Sequence, residues 1–229
     1  IKKVRIPNTV TAIERQVFKN STSLTEVTIP DSVQEFGQWV FEGCSSLEKV
    51  NIPDGVTSIG WRMFYGCSSL KELVIPDSVT KIETEALRHC TSLHDLTLSN
   101  NIQTIEHGAF GECDSIPYIT LPASVETIGD YAFYSCAELG SVRFASGSKL
   151  KTIGEQAFSS CTKLYNVSLP DGVETLGVAA FSNCPELAAY AYGDGFEMPD
   201  SLTSIGNGCF AGSGLRTVSF SKNLKAINK

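Results

Sequence analysis

The chain has 229 residues, 42% of them hydrophobic and 19% charged, with 18 basic against 25 acidic side chains and a formal net charge of −7. An ordinary apolar fraction argues against disorder, and 8 cysteines in this length are too sparse for a small disulfide scaffold. The acidic balance disfavours non-specific grip on nucleic acid or an anionic membrane, and no apolar run reaches the about 18 residues of a membrane-spanning helix.

A fixed period starts at the first residues. Pro7, Pro30, Pro53 and Pro76 lie 23 residues apart, and Pro122 falls two periods later. Cys44, Cys67, Cys90, Cys113 and Cys136 keep the same step, Cys161 follows after 25 residues, and Cys184 after 23 more. A third series runs Phe18, Phe41, Phe64, Leu87, Phe110, Phe133, Phe158, Phe181, Phe210. One unit reads V-x-I-P-D-x-V-x-x-I-G-x-x-A-F-x-x-C-x-x-L-x-x. About ten such units fill residues 1–229, which leaves no room for a second domain.

Each unit opens with a strand pattern. In Leu47–Ile52 the apolar Val50 and Ile52 alternate with Lys49 and Asn51, the period of a half-buried strand. Pro53 ends it, having no N–H to donate. Further on, Ile59, Met63, Phe64 and Cys67 are spaced four, one and three apart, which predicts a short helical turn. Glycine follows the isoleucine position at Gly37, Gly60, Gly129, Gly154, Gly177 and Gly206, as a tight bend or a positive φ would require. A unit this short closes no core alone and buries its apolar face only by stacking on copies of itself, in rungs about 4.8 Å apart.

Seven cysteines fall on one file, and Cys209 takes the small alanine position. Side chains running parallel into a core do not suit the torsion of a disulfide, and a linear file does not converge on zinc. The cysteines therefore read as buried thiols acting as small hydrophobes.

Towards the C-terminus the period is interrupted. Ala145–Lys149 adds two residues and reads as a longer turn. Gly193–Asp200 adds six and carries Phe196 and Met198 beside Asp194, Glu197 and Asp200. Asp194, Phe196 and Glu197 are loop candidates for ligand contact or weak Ca²⁺ binding. The competing reading is a surface excursion with its phenylalanine tucked onto the core, and no D-x-D-x-D-G spacing supports a metal. The pattern opens in a strand at Ile1 and stops within a unit just after Ile227, with no polar cap evident. Such a chain is expected to be a piece of something longer, with edges open to pairing with another copy.

Leu47-Glu48-Lys49-Val50-Asn51-Ile52 resembles the strand motif of leucine-rich repeats. The fuller unit, with I-P-D-S-V, G-x-x-A-F and C-S-S-L, resembles the BspA-type (Treponema-like) leucine-rich repeat family. The resemblance implies an α/β repeat: a right-handed solenoid with a parallel β-sheet on the concave face and short helical turns or irregular structure on the other side. It further implies a surface-exposed or secreted protein linked to adhesion to host proteins or other cells.

In such a solenoid the outward strand residues line the binding face. They include Lys3, Arg5, Lys49, Glu72, Asp95, Tyr118 and Arg143, with Tyr165 one position earlier in its unit and the small Ala189 and Ala191 further on. Binding hot spots favour tyrosine, tryptophan and arginine, which puts Tyr118, Arg143 and Tyr165 first. The blander alternative is a solvated sheet that merely suits threonine and serine. On the turn side Trp39, Trp61, Tyr65 and Tyr134 read either as a second contact surface or as rings folded over neighbouring rungs. No nucleophile, base and acid are assembled around His89, His94 or His107, and Glu83 and Glu85 read as solvated surface. No catalytic residue, metal site or cofactor is assigned. The function expected is a non-catalytic scaffold for a protein or glycan ligand, extracellular or at the cell surface. The alternative is a structural spacer or an intracellular protein–protein scaffold.

Overall fold

The computed structural model describes residues 1–187 and 196–227. Among the described residues, short strands come in ten pairs. The first of each pair are β1 (Lys3–Arg5), β3 (Glu26–Thr28), β5 (Lys49–Val50), β7 (Glu72–Val74), β9 (Asp95–Thr97), β11 (Tyr118–Leu121), β13 (Ser141–Phe144), β15 (Asn166–Val167), β17 (Phe196–Glu197) and β19 (Val218–Ser219). The second are β2 (Ala12–Ile13), β4 (Glu35–Phe36), β6 (Ser58–Ile59), β8 (Lys81–Ile82), β10 (Thr104–Ile105), β12 (Thr127–Ile128), β14 (Thr152–Ile153), β16 (Thr175–Leu176), β18 (Ser204–Ile205) and β20 (Ala226–Ile227).

Every pairing is parallel and joins residues one repeat apart, as in Lys3 with Glu26 and Thr104 with Thr127. The second strands form one eight-stranded ladder from β6 to β20, with β2 and β4 paired separately. The first strands pair in four groups: β1-β3-β5, β7-β9, β11-β13-β15 and β17-β19. One break has a covalent cause. His94 and Asp95 donate their N–H groups to the Lys71 carbonyl of the preceding rung, at 3.0 and 3.1 Å. Pro117 stands one period after His94 and has no N–H to give, so β11 does not pair with β9.

The turn side is not helical: among the described residues there is no helix, and the irregular alternative holds. The apolar residues spaced four, one and three do point inwards together, but their backbone bonds alternate: Met63 and Cys67 donate within the turn, to Gly60 and Phe64 at 3.0 Å each, while Phe64 donates to the Ala86 carbonyl of the next rung at 2.8 Å. Trp39, Phe41 and Gly43 donate to the carbonyls of Trp61, Met63 and Tyr65 at 3.2, 2.9 and 2.7 Å. Residues four apart there adopt positive φ, as at Trp39 (59°) and Gly43 (71°), and alternate donors point towards the same neighbour. A single helical turn would have to bear the nucleation cost of fixing several residues for one bond. Stacking instead gives every second N–H a partner on the next rung, as Arg62, Phe64 and Gly66 find in Thr84, Ala86 and Arg88.

The glycine column also has a different cause from the one expected. None of Gly37, Gly60, Gly129, Gly154, Gly177 and Gly206 has positive φ. Five of them let the backbone of the preceding rung come close. A Cβ on Gly129 would lie 2.8 Å from the Glu106 carbonyl carbon, and one on Gly177 would run into the Gly154 carbonyl carbon. Gly60 is the exception, with open space around it.

One apolar cluster runs through the rungs from Ile6 to Cys209. Its spine is the phenylalanine file, whose neighbouring rings stack with centroids 5.1–5.7 Å apart and planes within 8°. Leu87 fills the rung between Phe64 and Phe110 and is fully buried. All eight cysteines are free, buried thiols. Seven of them donate Sγ–H to the carbonyl of the file residue one rung back, as Cys67 does to Phe41 at 3.2 Å and Cys113 to Leu87 at 3.2 Å. A methyl group at this position would leave that lone pair without its donor. Burial pushes the thiols up, to about 11 at Cys44 and Cys184 and about 12 at Cys209.

The second interruption is placed differently from the sequence reading. Phe196 pairs with Val218 and Glu197 with Ser219, so Phe196-Glu197-Met198-Pro199 supplies the V-x-I-P of this unit. Phe196 is therefore a strand residue, 6% exposed, with its ring edge-on to Phe210 at 5.6 Å, and not a loop residue open to a ligand. The six extra residues precede the strand. Ala189 and Ala191, expected on it, lie outside the described residues, as does Asp194.

Candidate functional site

The first strands present a face with two outward columns. Lys3, Glu26 and Lys49 follow one another in register at its start, and the Lys3 ammonium reaches the Glu26 carboxylate at 2.6 Å. That hydrogen bond raises the Lys3 pKa and lowers that of Glu26. Arg5 is exposed in the second column beside Thr28. Asn51, one of the outward positions, is taken up by structure. Its amide accepts from the Ile29 N–H at 2.9 Å and donates to the Ile29 carbonyl at 2.7 Å, extending the ladder where β5 ends. Next, Glu72 and Asp95 stand directly opposite each other, two like charges on adjacent strands, beside the exposed Val74.

Tyr118 and Arg143 come together further along. Tyr118 is 59% exposed, and the Arg143 guanidinium carbon lies 5.7 Å from its ring centroid, a diagonal pair across β11 and β13. Tyr165 leans back onto Gly140, where a Cβ would come within 2.8 Å of its ring. All eight strand-face candidates are thus exposed, but they form no single patch. Lys3 and Arg5 stand six rungs from Arg143, on the order of 29 Å at the parallel strand spacing.

Arg143 also borders a cleft that the sequence reading missed. The Ala145–Lys149 insertion leaves the stack and overhangs the corner after β15, enclosing about 580 Å³ between Arg143, Ser146, Asn166, Ser168 and Asp171. Its ends are fixed by Ala145 N–H to the Leu121 carbonyl at 3.0 Å and Lys149 N–H to the Ala123 carbonyl at 2.9 Å. Gly147, at φ 75°, makes the tip. A second cleft of about 530 Å³ adjoins it, shares Ser168, Leu169 and Asp171, and continues to Glu197 and Asp200. Glu197, a loop candidate from the sequence, is exposed on β17 at this cleft, and Asp200 is paired with Lys222 at 2.9 Å. The available signals were the two extra residues and the Pro170-Asp171-Gly172 corner; neither reveals a cleft until the rungs are stacked.

On the turn side the rings fold over neighbouring rungs. Trp39 packs on Trp61 at 5.0 Å, Arg62 covers Tyr65 at 3.8 Å, and Tyr65 meets His89 edge-on at 5.2 Å. Ion pairs lace the same side: Lys19–Glu42, Glu42–Arg62, Arg62–Glu85, Glu85–Arg88 and Arg88–Glu112, at 2.7–3.4 Å. Glu83 and Glu85 are therefore more than solvated surface, since Glu83 also accepts the Trp61 N–H at 3.0 Å. Glu106 accepts from Thr84 N–H and Lys81 in the same way, at 2.9 and 2.7 Å. Burial pushes the Glu106 carboxyl up, but the hydrogen bonds from Lys81 and Thr84 together outweigh it and hold the group below its ordinary value. His94 contacts the Ser92 carbonyl at 2.9 Å, His89 contacts Glu112 at 3.0 Å and His107 packs on Tyr131 at 5.3 Å. No helix of the described residues is long and apolar enough to cross a membrane.

The family model described as BspA type leucine rich repeat region matches in six copies, over residues 1–98, 80–196 and 189–229. Among solved structures, the leucine-rich repeat protein of Treponema pallidum is 30% identical with a TM-score of 0.57, over 81% of this chain and 77% of that one. A leucine-rich cell surface protein of Faecalibacterium prausnitzii is 24% identical with a TM-score of 0.55, over 98% of this chain and 83% of that one. The pneumococcal vaccine antigen PcpA is 22% identical with a TM-score of 0.50, over 97% of this chain and 72% of that one. None of the curated proteins matches the sequence.

Proposed function

We propose, from the premise that the chain belongs to the BspA-type leucine-rich repeat family, that residues 1–229 act as one non-catalytic binding scaffold, secreted or held at a cell surface. Its ligand is a protein or glycan of a host or neighbouring cell. The coil is taken as right-handed, the hand that parallel crossovers adopt. Its surface placement rests on what the family implies and on the cell-surface protein of F. prausnitzii that shares the fold.

The observation that carries the reading is the Tyr118–Arg143 pair. An exposed ring and a guanidinium 5.7 Å from its centroid stand on the first-strand face. Residues of these types dominate recognition surfaces because they combine large apolar area with directed donors. Tyr165 lies further along the same face, and Lys3, Arg5, Lys49, Glu72 and Asp95 set its charge. Rigid rungs hold these side chains at fixed spacing, so many modest contacts add up with little ordering cost on binding. The test is binding of the purified chain to extracellular-matrix proteins and to a glycan array, repeated with Tyr118→Ala, Arg143→Ala and Tyr165→Ala. Loss of binding in these variants supports the reading. No binding, or binding indifferent to all three, sinks it.

A further inference from the structure

Resting on that reading, we infer that the cleft under the Ala145–Lys149 insertion is a binding site for a short linear chain of neutral sugars, which extends past Arg143 onto the neighbouring Tyr118 ring. Three features of the cleft choose the ligand.

The first is the mix of hydrogen-bonding groups. Arg143 offers only donors, Asp171 only acceptors, and Asn166, Ser146 and Ser168 offer both, all around one space of about 580 Å³. A ligand that satisfies them must donate and accept repeatedly over a short length. Vicinal hydroxyl groups do both.

The second is charge. Arg143 is the single cation among the lining residues, against Asp171 and Glu197, while the charge of Asp200 is offset by its ion pair with Lys222. A polyanion such as a sulfated glycan or a phosphate chain would meet more repulsion than attraction.

The third is the shortage of apolar anchorage. Peptide partners draw most of their affinity from large side chains sunk in apolar pockets. Here the walls are mainly serine, glycine, alanine, asparagine and aspartate; of the larger apolar residues, Val142 and Leu169 are buried and Phe144 and Pro170 half-buried. The flat apolar surface on offer is the Tyr118 ring beside Arg143, which suits the C–H face of a pyranose. Because the two clefts share Ser168, Leu169 and Asp171, the run spans β13, β15 and β17, about 10 Å at the parallel strand spacing. That length asks for more than one sugar unit along the solenoid axis.

The experiment is calorimetric titration of the whole chain with cellohexaose, mannohexaose, xylohexaose and chitohexaose, and with a heparin hexasaccharide as the anionic probe. At least one neutral hexasaccharide is expected to bind with a Kd below about 1 mM, as a shallow polar cleft allows, and the heparin fragment is expected to bind more weakly. Tyr118→Ala and Asp171→Asn are each expected to weaken the neutral ligand by about tenfold or more, and Arg15→Ala on the turn side to leave it unchanged. Both positions are exposed, and melting curves matched to the parent chain establish that the variants fold. Absence of binding by all four neutral probes overturns the inference, as does binding indifferent to both variants or tighter binding of the heparin fragment. If the hexasaccharides fail while a matrix protein binds and Arg143→Ala abolishes that binding, the sugar site falls and the scaffold reading stands. If nothing binds at all, both fall.

Discussion

The rings of Phe133 and Phe158 lie 5.1 Å apart and within 1° of parallel, the closest stack in the file. Yet 25 residues separate them where most neighbours in the file are 23 apart, because Ala145–Lys149 intervenes. The insertion is looped out so fully that the core does not register it. Rung geometry is set by the columns of the core, and extra residues go where no column passes. This is why the solenoid can carry a cleft on one corner without loss of packing.

Phe133 sits between Phe110 and Phe158, and truncation to alanine removes both stacks at once. The site cannot collapse, since the rungs on either side are held apart by backbone ladders. Phe133→Ala should therefore cost about 3–5 kcal/mol in urea denaturation, the range for a buried aromatic. Deletion of Ser146 and Gly147, by contrast, should change stability by less than about 1 kcal/mol, because loop length enters only weakly. A large loss on that deletion would mean that the loop braces the core.

Two glycines at equivalent positions should behave oppositely. A Cβ on Gly177 meets the Gly154 backbone, whereas a Cβ on Gly60 meets nothing within 4 Å. Gly177→Ala should destabilise by about 1–3 kcal/mol as overpacking does, since backbone cannot swing aside. Gly60→Ala should be neutral, or stabilise by up to about 1 kcal/mol by restricting the unfolded chain. Equal effects in thermal melts would refute close approach as the reason for the column.

This contrast marks how far the sequence could be read. The period, the inward columns and the first strands were legible because burial writes itself into residue type. The backbone was less so. A spacing of four, one and three at Ile59, Met63, Phe64 and Cys67 fits a helical turn and fits an inter-rung turn equally well, because both place the same residues inwards. Only the destination of the N–H groups tells them apart. A loop at Phe196 follows from the two tyrosines and the alanines before it, which mimic a strand, although Pro199 already marks the true end. The cleft was illegible for a further reason: its walls come from rungs β13, β15 and β17, and a concavity between rungs leaves no spacing in the chain.

Asn51 gives a test of a polar ladder contact. Its amide makes two hydrogen bonds to the Ile29 backbone, at 2.9 and 2.7 Å. Asn51→Ala should cost about 1–3 kcal/mol, because both Ile29 groups lose their partner in a half-buried setting. Asn51→Asp keeps the acceptor but loses the donor and faces the Ile29 carbonyl with a charge, so it should not rescue. If the alanine variant melts with the parent chain, water replaces both bonds and the contact is incidental.

The thiol file makes stability fall in alkali. Burial raises the thiols from the ordinary 9.0 to about 11 at Cys184 and about 12 at Cys209, because a thiolate in the core would lose its hydration. Above pH 9 the unfolded chain therefore gives up protons that the folded chain keeps. The folded state then binds more protons than the unfolded one, and the slope of stability with pH is negative. The contribution of each thiol is complete below about pH 9 and is lost as pH rises through 11 and 12, at up to about 1.4 kcal/mol per pH unit. Urea denaturation at pH 8, 9 and 10 should show stability level over the first interval and dropping over the second, with a shallower drop in a Cys184→Ala, Cys209→Ala double variant. The same burial should keep all eight cysteines unreactive towards iodoacetamide at pH 8 until denaturant is added. Rapid labelling of the native chain, or an alkaline limb unchanged in the double variant, would show that the file is open to solvent and that its thiols do not act as core groups.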